Sequence, residues 1–157
     1  MILSGQKIKQ CIQTGLIGID PFIEENLKGA SYTFTLDSKL RLLEDGQTLR
    51  ADVKPNYKEI FIPEEGFTLQ PGQFVLGFTK EHLKLNNKFA CILSARGSCA
   101  QIGLNILLGS HFAEPDTDSQ LVLEISNVSG MPIVLFSGML IVKGIFLPFE
   151  INYQSSL

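Results

Sequence analysis

Short stretches with the alternating or β-branched pattern of strands follow one another along most of this chain. Turn-forming residues separate them, among them Asp45-Gly46, Pro71-Gly72 and Gly138. The predicted strands cover residues 31–36, 39–43, 58–63, 73–79, 88–94, 105–109, 120–126, 132–136 and 139–149. Many short strands at a spacing of about 8–12 residues are typical of an all-β barrel or jelly roll.

Helical periodicity is clearest at the N-terminus. Ser4 is a suitable N-cap, Ile8, Cys11 and Ile12 recur at helical spacing, and Gly15 follows the end of the pattern. The sequence therefore predicts one short N-terminal helix that begins after Ser4 and ends near residue 14. A second, shorter helical turn is predicted within residues 97–103.

Length and charge limit the function classes. The 157 residues fit one domain, predicted over residues 1–149 and followed by a short tail over residues 150–157. Lys and Arg number 13 against 16 for Asp and Glu, so the net charge of −3 offers no basic field for nucleic acid. No apolar run reaches the roughly 20 residues of a membrane span, and the first residues lack a signal-peptide core. We expect a cytoplasmic protein with neither a nucleic-acid nor a membrane partner.

The residues that bind transition metals are sparse. The chain has three cysteines, an odd number with no C-x-x-C pair, and two histidines, neither of which begins an H-x-E motif. The cysteines fit small apolar residues kept reduced in the cytoplasm. Any enzyme activity is therefore predicted to work without zinc.

Longer phrases of the sequence occur in a fixed order along most of the chain. They are MILSGQKIKQCIQTGLIGIDPF (1–22), GASYTFTLD (29–37), IPEEGFTLQPGQFVLGFTKEHLKL (62–85), ARGSCAQIGL (95–104), LVLEISN (121–127) and MPIVLFSGMLIVKGIF (131–146). With these phrases the chain resembles the dCTP deaminase branch of the dUTPase superfamily from residue 1 to about residue 149.

The resemblance implies a fold and two chemistries. The family fold is a distorted jelly-roll β-barrel, the dUTPase-like fold, and its members are usually homotrimers with active sites between subunits. The deaminases convert dCTP and water to dUTP and ammonia, with a strand-borne Glu that activates the water and no zinc. The dUTPases split dUTP into dUMP and pyrophosphate. Both use Mg²⁺ bound to the nucleotide triphosphate, so dCTP or dUTP is the expected partner.

One phrase carries part of the family's catalytic motif, G-R-S-S-x-x-R-x-G-L. Arg96 and Ser98 match it, whereas Gly97 stands at the first Ser and Gln101 at the second Arg. Glycine has no side chain to hydrogen-bond a substrate, and glutamine carries no charge to stabilise an anion. Because one lost electrostatic donor costs about 10²–10³ in rate, these two substitutions put catalysis in question.

Two carboxylates are candidates for water activation. Glu124 falls on the family's catalytic Glu, and strand alternation places it with Val122 on the face opposite Leu121 and Leu123. From pattern alone, Glu124 also fits an exposed charge on a half-solvated strand. Glu114 is the alternative water-activating carboxylate, at the position of an Asp in the family's pyrimidine-binding loop.

Further binding residues follow from the same loop and from the last strand. Ser110 and His111 lie in the loop, where the residues after Pro115 depart from the family pattern and add the charges of Asp116 and Asp118. Together with Glu114, these acids fit either a hard-cation site or, more simply, a solvated loop. Lys143 stands at a phosphate-contacting Gln of the family, and it fits either a phosphate contact or a cation that snorkels from an apolar strand.

Three functions remain open at this point. The resemblance implies a zinc-independent dCTP deaminase of pyrimidine deoxynucleotide metabolism. The substituted positions, and the lack of a counterpart after residue 149 to the family segment that closes over the triphosphate, favour a catalytically impaired homologue that binds nucleotides, regulates or assembles. The third possibility is a dUTP diphosphatase that gives dUMP and pyrophosphate.

Overall fold

The computed structural model describes residues 1–148, so the predicted tail over residues 150–157 lies outside the described residues. Within them, strands dominate. The helices are α1 (Gly5–Gln13), a short 3-10 turn (Glu24–Asn26) and α2 (Gly97–Gln101). The strands are β1 (Ile17–Asp20), β2 (Tyr32–Thr35), β3 (Lys39–Leu43), β4 (Tyr57–Phe61), β5 (Phe67–Leu69), β6 (Phe74–Leu85), β7 (Phe89–Ala95), β8 (Leu104–Asn105), β9 (Phe112–Ala113), β10 (Asp118–Asn127), β11 (Ile133–Leu135) and β12 (Leu140–Pro148). The predicted mostly β architecture is confirmed.

The described strands form three hydrogen-bonded sheets, and their paired neighbours are antiparallel. The largest has the order β4-β3-β6-β10-β8, with β1 also paired to β6. The second has the order β2-β12-β7-β9, and the third is the pair β11-β5. A single bridge between Leu36 and Thr79 joins the strand region of β2 to β6. This bridge marks the corner at which the two larger sheets meet.

The N-terminal helix forms where the sequence predicts it. Ser4 caps α1 by accepting a hydrogen bond from the N–H of Lys7 at 3.2 Å. Ile8 and Cys11 are buried, and Gly15 takes a φ of +72° just beyond the helix end, a conformation that glycine adopts without steric cost. The short turn predicted near residue 100 is α2.

Strand alternation builds the core beneath β10. Leu121, Leu123 and Ile125 are buried, whereas Val122 on the other face is 48% exposed. The cysteines are free and buried, and burial raises the pKa of the Cys91 thiol to about 12. The thiols therefore act as small apolar side chains, as predicted. No helix among the described residues is long and apolar enough to cross a membrane.

Two strand predictions were wrong in extent. β6 continues to Leu85, past the predicted end at residue 79, because its second half pairs with β1, which was not predicted. The strand predicted over residues 105–109 is only Leu104–Asn105. Beyond it the chain turns, and the N–H groups of Gly109 and Ser110 bond a side chain of β10 instead of a neighbouring strand.

Candidate active site

Glu124 is half-buried on β10, where it lies opposite Leu76 of β6. Its Oε2 accepts hydrogen bonds from the N–H of Gly109 at 2.9 Å and from the N–H of Ser110 at 3.4 Å. Bonds from backbone N–H groups to a carboxylate are charge-assisted and orient it. With both bonds on Oε2, Oε1 is the oxygen on which a water molecule could be held for activation.

Glu114 lies in the loop before β10 and is exposed. Its backbone carbonyl accepts bonds from the N–H and the hydroxyl of Thr117, at 3.2 Å and 2.7 Å. Asp116 takes a φ of +64° within this turn. This is the left-handed conformation, which aspartate adopts more readily than most residues other than glycine.

A hollow of about 290 Å³ lies beside this loop, and Ser110, Glu114, Gln120 and Val122 contribute to its walls. Ser110 therefore lies next to both candidate carboxylates. Its N–H bonds to Glu124, and the residue lines the same hollow as Glu114. The arrangement places one half-buried and one exposed carboxylate around the same loop.

Where the loop ends and β10 begins, Asp118 pairs with two basic side chains of β6. Nε2 of His82 lies 2.5 Å from Oδ1 of Asp118, and Nζ of Lys84 lies 3.1 Å from Oδ2. The hydrogen bond to His82, followed by that to Lys84, holds the pKa of Asp118 below its usual value. Asp118 thus links the start of β10 to β6. This pairing gives Asp118, one of the acids considered for a cation site, a structural role. Among residues 1–148, no group of three or more His, Cys, Asp or Glu side chains is arranged to hold a metal ion.

The substituted motif forms α2 and its N-cap. The N–H of Arg96 donates to the carbonyl of Ile141 on β12 at 3.1 Å, while the side chains of Arg96, Ser98 and Gln101 are exposed. Gly97 is exposed as well, and a Cβ added there meets no atom within 4 Å. The segment thus presents its polar groups outward and has room for the side chain that the family motif carries.

The two remaining predicted residues lie on the second sheet or beside it. Lys143 is half-buried on β12, opposite Thr33 of β2 and Ser94 of β7. This position fits both a phosphate contact and a snorkelling cation. His111 is exposed, and its carbonyl accepts the N–H of Leu93 at 2.7 Å.

The predicted residues therefore fall into two groups. The loop group consists of Glu124, Ser110, His111 and Glu114. The motif group consists of Arg96, Gly97, Ser98, Gln101 and Lys143. Within the part of the chain that the structure describes, the Glu124 carboxylate accepts its hydrogen bonds from Ser110 of the loop group and from the adjacent Gly109. That the active sites lie between subunits, as the resemblance implies, stays a prediction.

Sequence reasoning missed two contributors. Gly109 supplies the shorter bond to Glu124 through its backbone, which no side-chain pattern reveals. Glu81 is fully buried on β6 and binds Thr35 of β2. Extending the alternation of β6 beyond Thr79 would have placed Glu81 on the inward face, so a signal for it was present.

Comparison with solved structures first defines the class of fold. The chain matches 2′-deoxycytidine 5′-triphosphate deaminase from Agrobacterium tumefaciens with a TM-score of 0.74 at 17% identity, over 95% of this chain and 48% of that one. It matches the dUTPase from Streptococcus mutans with a TM-score of 0.54 at 15% identity, over 85% of this chain and 95% of that one. The chain thus has the dUTPase-like fold, in about half the length of the Agrobacterium protein.

Sequence comparison then gives the family. The family model described as dCTP deaminase-like matches residues 2–147, and the chain belongs to this family. Relatives named "dCTP deaminase, dUMP-forming" come from Corynebacterium glutamicum strain R, at 33% identity, and Rhodococcus opacus strain B4, at 34% identity. Each alignment spans 144 residues, 88% of this chain and 76% of the relative.

Proposed function

We propose that the protein acts on dCTP as a zinc-independent deaminase and releases dUTP and ammonia. The observation that carries the proposal is the half-buried Glu124, oriented on β10 by the N–H groups of Gly109 and Ser110. A general base must be fixed close to the proton that it removes, and two backbone donors on one oxygen provide that. The family membership over residues 2–147 supplies the substrate class.

In the proposed reaction, Oε1 of Glu124 takes a proton from water while the water oxygen bonds to the amino-bearing carbon of cytosine. One of the two water protons passes to the neighbouring ring nitrogen and the other to the amino group. The bond from the carbon to the amino nitrogen then breaks, so that ammonia leaves and the ring keeps a carbonyl and an N–H. Arg96, Ser98 and Gln101 are proposed to bind the base or phosphates, and Lys143 to contact phosphate. Mg²⁺ belongs to the substrate as the nucleotide complex, because a triphosphate supplies the oxygen ligands that it prefers.

A second candidate is a catalytically impaired homologue that binds the nucleotide. The substitutions at Gly97 and Gln101 favour it, because they remove a hydroxyl and a positive charge of the family motif from exposed positions. In this case Glu124 and the loop would still hold the pyrimidine, and the protein would serve as a regulatory or assembly module.

The names of the relatives raise a further possibility for the product. A dUMP-forming deaminase must also release pyrophosphate, and Glu114 would be the second carboxylate available for that hydrolysis. The same residue would serve in a dUTP diphosphatase. We further propose a homotrimer in which the loop group of one subunit meets the motif group of another.

The deciding experiment incubates the purified protein with dCTP, and separately with dUTP, each with excess magnesium. Chromatography follows dUTP, dUMP and dCMP. Conversion of dCTP that disappears in Glu124→Gln supports deamination, and dUMP as the product that disappears in Glu114→Gln adds the hydrolytic step. Turnover that survives Glu124→Gln would overturn the assignment. Binding of dCTP by calorimetry without any turnover would establish the second candidate instead.

A further inference from the structure

β6 has a corner where its partner on one edge changes from β3, paired at Leu76, to β1, which pairs from His82 onward, while β10 stays paired to the other edge. Its pairing with β10 runs from Gln120–His82 to Val122–Phe78, which is two steps along β10 and four along β6. Three residues of β6, Thr79 to Glu81, therefore lie opposite Leu121 alone. Such bulges bend a strand and leave its backbone groups without regular ladder partners.

The side chain of Thr79 fills the gap that the bulge leaves. Thr79 is 0% exposed, and its Oγ1 accepts the N–H of Leu121 at 2.9 Å while donating to the carbonyl of Glu81 at 2.8 Å. Nε2 of Gln120 donates to the carbonyl of Thr79 at 2.8 Å and to Oδ2 of Asp37 at 2.9 Å. The hydroxyl thus takes the place of a missing backbone acceptor for β10.

Glu81 does the same for the other sheet. It is 0% exposed, and its Oε2 accepts the N–H of Thr35 at 2.9 Å while its Oε1 accepts the hydroxyl of Thr35 at 3.0 Å. Both partners are neutral groups of β2. The neighbouring ionisable groups are Lys80 on the same strand and Tyr32 on β2. The carboxylate therefore links β2 to β6 at the junction of the two larger sheets.

We propose that Thr79 and Glu81 are positioning residues for Glu124: their side chains fix the corner of β6 and so hold β10 in the register that brings Glu124 to Gly109 and Ser110. The proposal rests on the proposed function only in the role that it gives to Glu124. Removing the two-residue excess of β6 would slide part of β10 by two residues, about 6–7 Å. That slide keeps each side chain on its face but takes Glu124 away from the two N–H groups.

The test uses amide hydrogen exchange and NMR on the full chain. In Thr79→Val the amide of Leu121 loses its buried acceptor, and we expect its exchange to accelerate at least about tenfold. In Glu81→Met, which has no oxygen to accept a hydrogen bond, the exchange of the Thr35 amide should accelerate. In both variants the Gly109 and Ser110 resonances should move toward their positions in Glu124→Gln. Thr79→Ser, which keeps the hydroxyl, should restore the original behaviour.

Thr68→Val, an exposed substitution on β5, is the matched control and should change none of these amides. If Thr79→Val does not fold, Glu81→Met decides by the same readouts. Unchanged Gly109 and Ser110 resonances, or a uniform acceleration that includes the amide of Ile8 in α1, would overturn the positioning role.

Kinetics separate this proposal from the proposed function. If the wild-type protein deaminates dCTP, the positioning variants should lower kcat more than they raise KM, with rescue in Thr79→Ser. An equal kcat in Thr79→Val and the wild type would refute the role. If the wild type does not turn over, the proposed deaminase fails while the amide resonances still decide whether the corner positions Glu124.

Discussion

The two halves of the candidate site differ in how firmly the fold holds them. Glu124 belongs to β10, which lies between β6 and β8 in the largest sheet, and its carboxylate accepts two backbone hydrogen bonds. Gly97 and Gln101 belong to the exposed face of α2, and a Cβ at Gly97 would meet only open space. The fold thus constrains Glu124 strongly but tolerates change in α2. Substitutions in α2 therefore concern the chemistry of the site and not its architecture.

The largest expected effect comes from restoring the family motif in α2. In Gly97→Ser combined with Gln101→Arg, the open space accepts the hydroxyl and the exposed position accepts the guanidinium. Each regained donor is worth about 10²–10³ in rate when it faces developing charge. We expect the deamination rate of dCTP to rise at least about 10²-fold, measured as ammonia and dUTP release.

The control for this gain places the same residues elsewhere. Gly29 also has no atom within 4 Å of an added Cβ, and Gln13 ends α1 as Gln101 ends α2. Gly29→Ser combined with Gln13→Arg should leave the rate unchanged. No gain in the α2 double variant, with the fold intact, would show that the two halves do not converge on one substrate.

The second prediction tests the firmly held half. Glu124→Ala removes the charged acceptor from the N–H groups of Gly109 and Ser110. Hydrogen bonds to charged groups contribute about 1.5–3 kcal/mol, and we expect a loss of about 1.5 kcal/mol in the free energy of unfolding, measured with urea. Glu114→Ala, at an exposed carboxylate, is the matched control and should cost less than about 0.5 kcal/mol. Equal losses in both variants would remove the distinction between the two carboxylates.

The third prediction concerns pH and the buried corner that supports β10. Burial raises the pKa of Glu81 above its ordinary value of 4.5, against the opposing hydrogen bonds from Thr35. Because the folded state holds the proton more tightly, the contribution of Glu81 to stability is complete below pH 4.5 and is lost as the pH rises through the raised pKa. Glu81→Gln removes this dependence.

The measurement is the free energy of unfolding of Glu81→Gln and of the wild type between about pH 4 and pH 8. As the pH rises, the free energy of unfolding of the variant should increase relative to that of the wild type. The expected increase is about 1.4 kcal/mol for each unit by which the pKa of Glu81 is raised. Glu64→Gln, at an exposed residue, should show no such trend. A difference that stays constant across this range would contradict a raised pKa at Glu81.

The sequence predicted the regular parts of the molecule and missed the corners. Alternation placed Leu121 and Leu123 inward and Glu124 outward, because a strand has a strict two-residue period. The partner change of β6 at Thr79 to Glu81 has no local signature, since the residues that complete its bonds lie more than 40 positions away, as with Thr35 and Glu81. The Gly109 N–H bond to Glu124 was missed because a backbone donor depends on the path of the chain and not on a side chain.

The smallest effect is expected at Asp116, in the loop between the two carboxylates. Its φ of +64° costs an aspartate little and a glycine nothing, so Asp116→Gly should change the free energy of unfolding by about 0.5 kcal/mol or less. The charge matters more for the nucleotide, because a carboxylate near a triphosphate repels it and salt screens the repulsion.

Asp116→Asn keeps a side chain that tolerates this conformation and removes only the charge. If Glu124 and Glu114 share one nucleotide site, both variants should lower the KM for dCTP at low salt, and the difference from wild type should fade at high salt. A KM that is lowered by Asp116→Gly but not by Asp116→Asn would assign the effect to the backbone of the turn, and the loop would then act on the site through its shape.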